Sequence, residues 1–332
     1  MRRGAHTLAR AVEASGVGLH SGRTAKVRLR AGHAGEGITF VRTDLGGASL
    51  RAEPSSVLET RLSTALGSSS GSGAAAHART VEHLLAALCG SGVSACVVEL
   101  DTAELPLFDG SAAQWVSLIQ TAGLARLPSG PAPLEPCAPV WASHGDSWVL
   151  AVPAESPQLT YGIDFGRFAP IGKQWFSWSA AGAALATGSA SSEDLVAQLS
   201  SAGPAAESDA RAAADAAGRA CTDPFEVALA PARTFATTEG VAAARAAGLV
   251  LGGSLESALV CDEERWLGEG GLRFADEPVR HKTLDLLGDL ALLGALPRAH
   301  VVAYKASHRL HIALARALAD GTSGPAREEH YV

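Results

Sequence analysis

The amino-acid sequence predicts an α+β protein of two domains. Its 332 residues exceed what one small core usually needs. Strand-like and helix-like patterns are mixed in both halves of the chain. Five prolines between positions 127 and 139 withhold backbone donors and resist regular structure. We therefore predict a linker at 128–139, between an N-terminal domain at 1–127 and a C-terminal domain at 140–332.

In the first half, strands are predicted where apolar and polar side chains alternate or a β-branched apolar run occurs, and helices where a capping residue and a glycine bracket an apolar stretch. The predicted strands are 25–30, 37–42 and 94–100, and the predicted helices are 81–89 and 112–122. Thr80 is predicted to cap the first helix and Gly90 to end it. A Gly/Ser/Ala tract at 67–76 predicts a loop.

The second half has a similar order of strands and helices. Its predicted strands are 148–152, 160–165, 255–260 and 300–304, and its predicted helices are 241–247, 279–293 and 309–318. Residues 180–220 are rich in alanine, serine and aspartate, so we predict a low-complexity insertion there. No residue-level repeat relates the two halves.

Composition and charge exclude several classes of protein. With 27 basic and 34 acidic residues the formal net charge is −7, so nucleic acid is not an expected partner. The 5 cysteines include no C-x-x-C pair, which favours a reducing compartment and argues against a cysteine zinc cluster. No apolar core follows the basic start, and no apolar run approaches the ~20 residues that span a bilayer. We therefore expect a cytoplasmic protein without a transmembrane segment.

The strongest chemical signal is the pair His281 and Asp285, four positions apart within a predicted helix. Residues at this spacing lie on one helical face, where an imidazole nitrogen and a carboxylate oxygen can hold one zinc ion. Asp289 lies one further turn along that face and could orient a ligand or a catalytic histidine. The alternative is a buried histidine with solvated acids, because this spacing often arises by chance.

Three further segments carry weaker signals. Glu82 and His83 stand at a predicted helix start, where backbone N–H groups favour negative charge; His83 could ligate zinc and Glu82 could be a general base. His308 follows a predicted strand and is a candidate acid. The hydroxyl of Thr234 could donate to an oxyanion. Each segment also has an ordinary interpretation. Glu82 and His83 could simply begin a helix, His308 could be an exposed loop histidine, and Thr234 could lie in a turn.

Other catalytic motifs are missing from the sequence. It contains no G-x-x-x-x-G-K-[ST] phosphate loop, no G-x-S-x-G nucleophile elbow and no H-E-x-x-H zinc motif. The glycines at Gly252 and Gly253 lack the wider spacing of a dinucleotide fingerprint. The classes of enzyme that depend on these motifs are therefore not supported.

Taken together and in order, eight segments resemble the family of UDP-3-O-acyl-N-acetylglucosamine deacetylases, the zinc amidases of lipid A synthesis in Gram-negative bacteria. The matching segments are 15–22, 80–88, 104–112, 232–235, 251–254, 272–277, 279–290 and 303–308. They span nearly the whole chain, which chance agreement does not explain. The resemblance implies two similar α+β domains with mixed sheets outside and helices packed between them. It places the active site at the domain interface.

The resemblance also implies the activity and the metal. The expected reaction is zinc-dependent hydrolysis of the acetamide of UDP-3-O-acyl-N-acetylglucosamine, which gives acetate and UDP-3-O-acyl-glucosamine. His83, His281 and Asp285 are the expected ligands of one zinc ion per chain. The UDP-linked acylated amino sugar is the expected partner, and no obligatory protein partner is implied. The expected place of action is the cytoplasm, including the periphery of the inner membrane.

Four residues are implied as catalytic. Glu82 would take a proton from the attacking water, and Thr234 would help zinc to stabilise the oxyanion. His308, held protonated with help from Asp289, would protonate the departing amine. A base and an acid with separate pKa values predict a bell-shaped pH profile.

Substrate-binding residues are implied in the same way. Lys282 and Lys305 correspond to residues that bind the UDP portion, and a lysine opposing a diphosphate is favourable electrostatically. Phe235 is expected near the sugar. Asp164 and Phe165 are further candidates for the UDP portion.

The chain departs from the family pattern around the expected acid and in the implied acyl passage. Ser307 and Arg309 replace glycine and alanine, and His311 replaces an asparagine. The passage, implied at about 235–251, has small residues where bulky ones are usual. These departures leave two alternatives open: a zinc amidase for a different nucleotide sugar, and a zinc-containing binding protein without turnover.

Overall fold

Two mixed β-sheets enclose the main helices of the protein. The computed structural model describes residues 5–67, 76–180 and 224–326. Most of the predicted loop at 67–76 lies outside these residues, as does nearly all of the predicted insertion at 180–220. Within the described residues, buried apolar side chains from both sheets and from the helices form one hydrophobic cluster. This arrangement confirms the predicted α+β class and its layers.

The first sheet has five strands. They are β2 Val12–Val17, β3 Thr24–Ala31, β4 Ile38–Arg42, β5 Ala48–Arg51 and β9 Cys96–Leu100. Their order is β2-β3-β9-β4-β5, and only the β4–β9 pair is parallel. In β3, Ala25, Val27 and Leu29 are buried while Lys26 and Arg28 are exposed. The period-two pattern therefore turns one face of the sheet to the core.

Two helices of the first half pack against each other. They are α1 (Glu82–Gly90) and α2 (Ala113–Ala122), and α2 also contacts β2. The predicted cap of α1 by Thr80 is wrong, because Val81 is the N-cap residue. Thr80 has a left-handed φ of 58°, and its hydroxyl donates to Oε1 of Glu104 at 3.2 Å instead.

The second sheet has six strands. They are β11 Val140–His144, β12 Ser147–Pro153, β13 Gln158–Phe165, β14 Gly172–Ser179, β18 Ala299–Tyr304 and β19 Gly324–Pro325. Their order is β14-β13-β18-β12-β11-β19. The β13–β18 and β11–β19 pairs are parallel, and the remaining pairs are antiparallel. Like the first sheet, this one is mixed.

Smaller elements complete the described chain. The strands are β1 His6–Leu8, β6 Val57–Glu59, β7 Ala65–Gly67, β8 His77–Arg79, β10 Leu124–Arg126, β15 Phe235–Thr237, β16 Leu259–Cys261 and β17 Trp266–Leu267, and the helices are α3 Pro224–Ala228 and α4 Thr238–Ala246. Strand β1 pairs with β10, while β6-β7-β8 and β15-β16-β17 form three-stranded sheets. The α4 helix starts earlier than predicted because the Thr237 hydroxyl accepts the N–H of Gly240 as a cap.

Two longer helices pack on the second sheet and meet the first half. Helix α5 (Glu277–Leu290) contacts β13 and β14, and α6 (His308–Ala319) contacts β11 and β12. Helix α5 also packs closely against α1. A Cβ atom added at Gly288 would lie only 2.1 Å from the carbonyl oxygen of Glu82. A backbone atom cannot yield as a flexible side chain can, so this approach requires glycine. The contact places the start of α1 beside the helix that carries His281.

The predicted strand at 255–260 and the predicted linker at 128–139 can be compared with the structure. The predicted strand at 255–260 shortens to β16, because Ser257 N and Ala258 N both donate to the carbonyl oxygen of Ser254 and form a turn. Residues 127–139 contain neither strand nor helix. The domain division at this stretch stays a prediction. Within the described ranges, no helix is long and apolar enough to cross a membrane.

Candidate metal centre and active site

Three buried ligand atoms converge between α1 and α5. Oδ1 of Asp285 lies 3.3 Å from Nε2 of His281 and 3.5 Å from Nε2 of His83. One ligand atom from each of the three side chains lies within 4.8 Å of the others. The two imidazole rings stand almost perpendicular, with centroids 4.9 Å apart. His281 and Asp285 share a helical face, as their spacing predicts, and the α1–α5 contact adds His83.

The donor set fits a zinc ion. Oδ1 of Asp285 is buried without a hydrogen-bond partner among the described residues, while Oδ2 accepts a bond of 2.7 Å from Nζ of Lys282. Nδ1 of His281 lies 3.0 Å from the carbonyl oxygen of Ala232, which fixes Nδ1 as the donor and leaves Nε2 as an acceptor. Two imidazole nitrogens and one carboxylate oxygen are typical of catalytic zinc sites with an open coordination position.

Protonation states at the centre also suit a metal. Burial lowers the pKa of His281 to about 4, so its ring is neutral near pH 7. Burial opposes ionisation of Asp285, but the positive charge of Lys282 outweighs burial and holds the pKa of this carboxyl well below its usual range. A neutral imidazole and an ionised carboxylate are the forms that bind a cation.

A second group of three side chains, Asp289, His308 and His311, also meets the geometric requirement for a metal site. Its carboxylate is already occupied, however. Oδ2 of Asp289 accepts from Nδ1 of His308 at 2.7 Å and from Nδ1 of His311 at 2.8 Å, and Oδ1 accepts from the hydroxyl of Thr64. The group around Asp285 is therefore the better candidate for a metal.

Glu82 is the first residue of α1 and is buried directly beside His83. Its Oε2 accepts a hydrogen bond of 3.0 Å from the backbone N–H of Thr64. Burial raises the pKa of Glu82 above its ordinary value, although the charge of His308 opposes that shift. A carboxylate with a raised pKa is a stronger base, which suits proton abstraction.

His308 is the first residue of α6 and faces the same centre. Its Nε2 lies 4.0 Å from Oδ2 of Asp285, and its Nδ1 bonds to Asp289. Burial lowers the pKa of His308, but the charge and hydrogen bond of Asp289 outweigh burial and raise it to about 9. His308 is therefore an imidazolium near pH 7 and can donate a proton from Nε2.

Thr234 is held next to α5 by its neighbours. The preceding residue, Arg233, donates from its backbone N–H and its guanidinium to the buried carboxylate of Glu277, at 3.0 Å and 2.8 Å to Oε1. The N–H of Thr234 itself donates to the carbonyl oxygen of Gly110 at 2.8 Å. Glu277 and His281 lie one turn apart on α5. Glu277 binds Arg233 and His281 bonds to the carbonyl oxygen of Ala232, so both anchor the chain just before Thr234.

The implied substrate-binding residues fall into two groups. The rings of Phe165 and Phe235 meet edge to face, with centroids 5.5 Å apart. Asp164 accepts from the Tyr304 hydroxyl at 3.2 Å and pairs with Lys173 at 3.1 Å. The two lysines are paired with acids: Lys282 with Asp285, and Lys305 with Asp146 at 2.6 Å.

Three buried residues at this centre were not predicted as site residues. Thr64 contacts both Glu82 and Asp289, and no local sequence signal marks it. His311 bonds to Asp289. Its position about one turn after His308, at the start of a predicted helix, indicates that the two side chains share a helical face. Tyr161 donates to the carbonyl oxygen of Ala306 at 2.7 Å and lies 3.0 Å from Nε2 of His311. Tyr161 was not predicted because it lies within a predicted strand, where its pattern is that of a core residue.

The sequence matches a known protein family over most of its length. The family is described as UDP-3-O-acyl N-acetylglycosamine deacetylase, and the match covers residues 5–193 and 204–320. These ranges include every residue of the centre described above.

Individual relatives agree with this match. A UDP-3-O-acyl-N-acetylglucosamine deacetylase of Nostoc sp. is 42% identical over 314 residues, which are 94% of this chain and 96% of the relative. The enzyme of that name from Synechocystis sp. is 40% identical over 323 residues, 95% of this chain and 98% of the relative. A probable mitochondrial deacetylase of the same name from Arabidopsis thaliana is 37% identical, covering 94% of this chain and 87% of the relative. The chain belongs to the UDP-3-O-acyl N-acetylglycosamine deacetylase family.

Proposed function

We propose that this protein is a zinc-dependent deacetylase that hydrolyses the acetamide of UDP-3-O-acyl-N-acetylglucosamine. The products are acetate and UDP-3-O-acyl-glucosamine, in an early step of lipid A synthesis. The observation that supports this most directly is Oδ1 of Asp285, buried without a hydrogen-bond partner in the described chain and facing Nε2 of two histidines. Family membership supplies the substrate class.

The proposed metal ligands are His83, His281 and Asp285. Zinc supplies Lewis acidity, which lowers the pKa of water and polarises a carbonyl oxygen. Lys282 holds Oδ2 of Asp285, and this leaves Oδ1 directed at the two imidazoles. Because α1 comes from the first half of the chain and α5 from the second, the three ligands would connect the two halves.

Glu82 is the proposed general base. The backbone N–H of Thr64 holds Oε2 at 3.0 Å and thereby orients the carboxyl group. The carboxylate accepts one proton of the attacking water while the water oxygen forms a bond to the acetyl carbon. The raised pKa of Glu82, a result of its burial, strengthens this acceptor.

His308 is the proposed general acid. Its imidazolium donates the Nε2 proton to the amine nitrogen as the C–N bond breaks, and Asp289 keeps the ring charged and oriented. The hydroxyl of Thr234 is the proposed donor to the carbonyl oxygen as negative charge develops there. The anchoring of Arg233 on Glu277 fixes the chain that presents this hydroxyl.

The remaining residues are assigned to substrate binding. Lys282 and Lys305 would oppose the diphosphate, since each ammonium group has further N–H donors besides the one given to its carboxylate partner. Phe235, in contact with Phe165, would lie against the sugar, with Asp164 nearby. We place the reaction in the cytoplasm, including the inner-membrane periphery, and the domain boundary at 128–139.

The test is acetate release by the purified protein from UDP-3-O-acyl-N-acetylglucosamine, before and after chelation and after zinc is added back. We expect chelation to abolish release and zinc to restore it. Non-acylated UDP-N-acetylglucosamine is the matched control substrate. Release from that control alone would instead indicate an amidase for a different nucleotide sugar, and zinc binding without any release would indicate a binding protein.

A further inference from the structure

Thr64 lies between the carboxylates of Glu82 and Asp289 and is hydrogen-bonded to both. It directly precedes β7 and is completely buried. Its backbone N–H donates to Oε2 of Glu82 at 3.0 Å, and its hydroxyl donates to Oδ1 of Asp289 at 2.5 Å. Thr64 therefore touches the carboxylate beside His83 with its main chain and the carboxylate that supports His308 with its side chain.

The direction of these bonds follows from the chemistry of the groups. An ionised carboxylate only accepts, and Asp289 is ionised because the His308 charge and hydrogen bonds from His308 and His311 outweigh burial and hold its pKa at about 2. The single hydroxyl proton of Thr64 is thus committed to Asp289. The hydroxyl oxygen of Thr64 also lies 3.3 Å from Nδ1 of His308 and can accept from it.

The main chain of Thr64 is fixed independently of the side chain. Its carbonyl oxygen accepts from the N–H of Val81, the residue immediately before Glu82, at 3.4 Å. A change of side chain therefore leaves the contact with α1 in place and removes the contacts of the hydroxyl with Asp289 on α5 and His308 on α6. This separation makes the role of the hydroxyl measurable.

We propose that Thr64 is a positioning residue that sets Glu82 and the Asp289–His308 pair in register across the interface between α1 and α5. The inference rests on the proposed function. Within the described chain, the hydrogen bonds of Thr64 go to Glu82, Asp289, His308 and Val81 and not to the lysines assigned to substrate, so we expect it to act on the rate of the chemical step and not on substrate binding. Its hydroxyl fixes the rotation of the Asp289 carboxyl group, which in turn fixes the ring of His308.

The experiment compares the zinc-loaded wild type with Thr64→Val, which keeps the shape but loses the hydroxyl, and with Thr64→Ser, which keeps the hydroxyl. We expect Thr64→Val to lower kcat about ten- to a hundred-fold, as for a lost hydrogen bond to a charged group. KM and zinc content should stay within about twofold, and Thr64→Ser should recover most of the rate. Thr7→Val is the matched control, because Thr7 is a buried threonine away from the site, and its hydroxyl oxygen accepts from the backbone N–H of Gly32.

A coupling measurement separates positioning from a general loss of structure. In an Asp289→Asn background, Thr64→Val should lower kcat by less than about threefold, because its target is already changed. Equal losses in both backgrounds, or an unchanged kcat in Thr64→Val, would overturn the proposal. If Thr64→Val does not fold, Thr64→Ala against Thr64→Ser repeats the comparison. Absence of acetate release by the wild type would refute the proposed function itself, which is a distinguishable result.

Discussion

Nδ1 of His308 lies 2.7 Å from Oδ2 of Asp289, and both side chains are buried. Burial alone would keep a histidine neutral and a carboxylic acid protonated. Here the two opposite charges stabilise each other, so the pKa of His308 rises to about 9 and that of Asp289 falls to about 2. The pair is consequently ionic at neutral pH, although His281, in the same centre, is neutral.

This ion pair predicts the alkaline limb of the pH–rate profile. The proposed mechanism requires ionised Glu82 and protonated His308, so kcat should rise at a pH above the ordinary Glu value of 4.5 and fall near pH 9. Asp289→Asn removes the charge that raises the pKa of His308 while burial, which lowers it, remains. The alkaline limb should therefore move to lower pH and kcat should fall. The measurement is kcat against pH at saturating substrate, and an unmoved limb would assign it to a group other than His308.

Glu82→Gln should separate metal binding from proton transfer. The amide keeps the size of the side chain but cannot accept the proton of water, so we expect kcat to fall by about 10²–10⁴-fold with zinc content unchanged. His83→Ala is the contrasting variant, because it removes a proposed ligand and should lose zinc. Metal analysis beside acetate release checks both, and normal turnover by Glu82→Gln would refute the assignment of the base.

Gly288→Ala should disrupt the interface at which the candidate metal ligands come together. The new methyl group would meet the Glu82 carbonyl oxygen at 2.1 Å, so α1 and α5 must separate. We expect a loss of at least about 1–3 kcal/mol in the free energy of unfolding and weaker zinc binding, since the proposed ligands come from both helices.

Urea denaturation and zinc titration measure these effects. Gly240→Ala is the matched control, because Gly240 lies on the exposed helix α4 and its nearest neighbour is a side-chain oxygen 3.2 Å away. Zinc affinity equal to wild type in Gly288→Ala would show that the close contact is not needed for the centre.

Glu277→Ala should destabilise the protein and slow the reaction. It leaves the guanidinium of Arg233, 14% exposed, without its buried partner, and breaking such a pair typically costs about 3–5 kcal/mol. Because Arg233 precedes Thr234, kcat should fall as well. Glu135→Ala breaks the exposed pair with Arg298 and should cost under about 1 kcal/mol with normal kcat. Denaturation and acetate release test this comparison, which fails if both variants behave alike.

Local patterns predicted most of the regular structure. The alternation in β3 and the closing glycine after α2 reflect backbone geometry over a few residues, and the structure agrees with both. Two errors came from a local cap at Thr237 and a local turn at Ser254, and a third arose where a side chain had a distant partner. Thr80 has the composition of a helix cap, but its hydroxyl bonds to Glu104, 24 residues away along the chain.

The sequence by itself determined that His281, Asp285 and Asp289 share a face of one helix, because that relationship depends only on the helical repeat. Only the tertiary structure decided what each of them meets. Asp285 faces His83 with an oxygen that has no hydrogen-bond partner among the described residues, whereas Asp289 accepts hydrogen bonds from Thr64, His308 and His311. These partners come from segments as far as 225 residues apart. Which residues approach a helical face depends on how distant elements pack, and the close contact at Gly288 sets that distance.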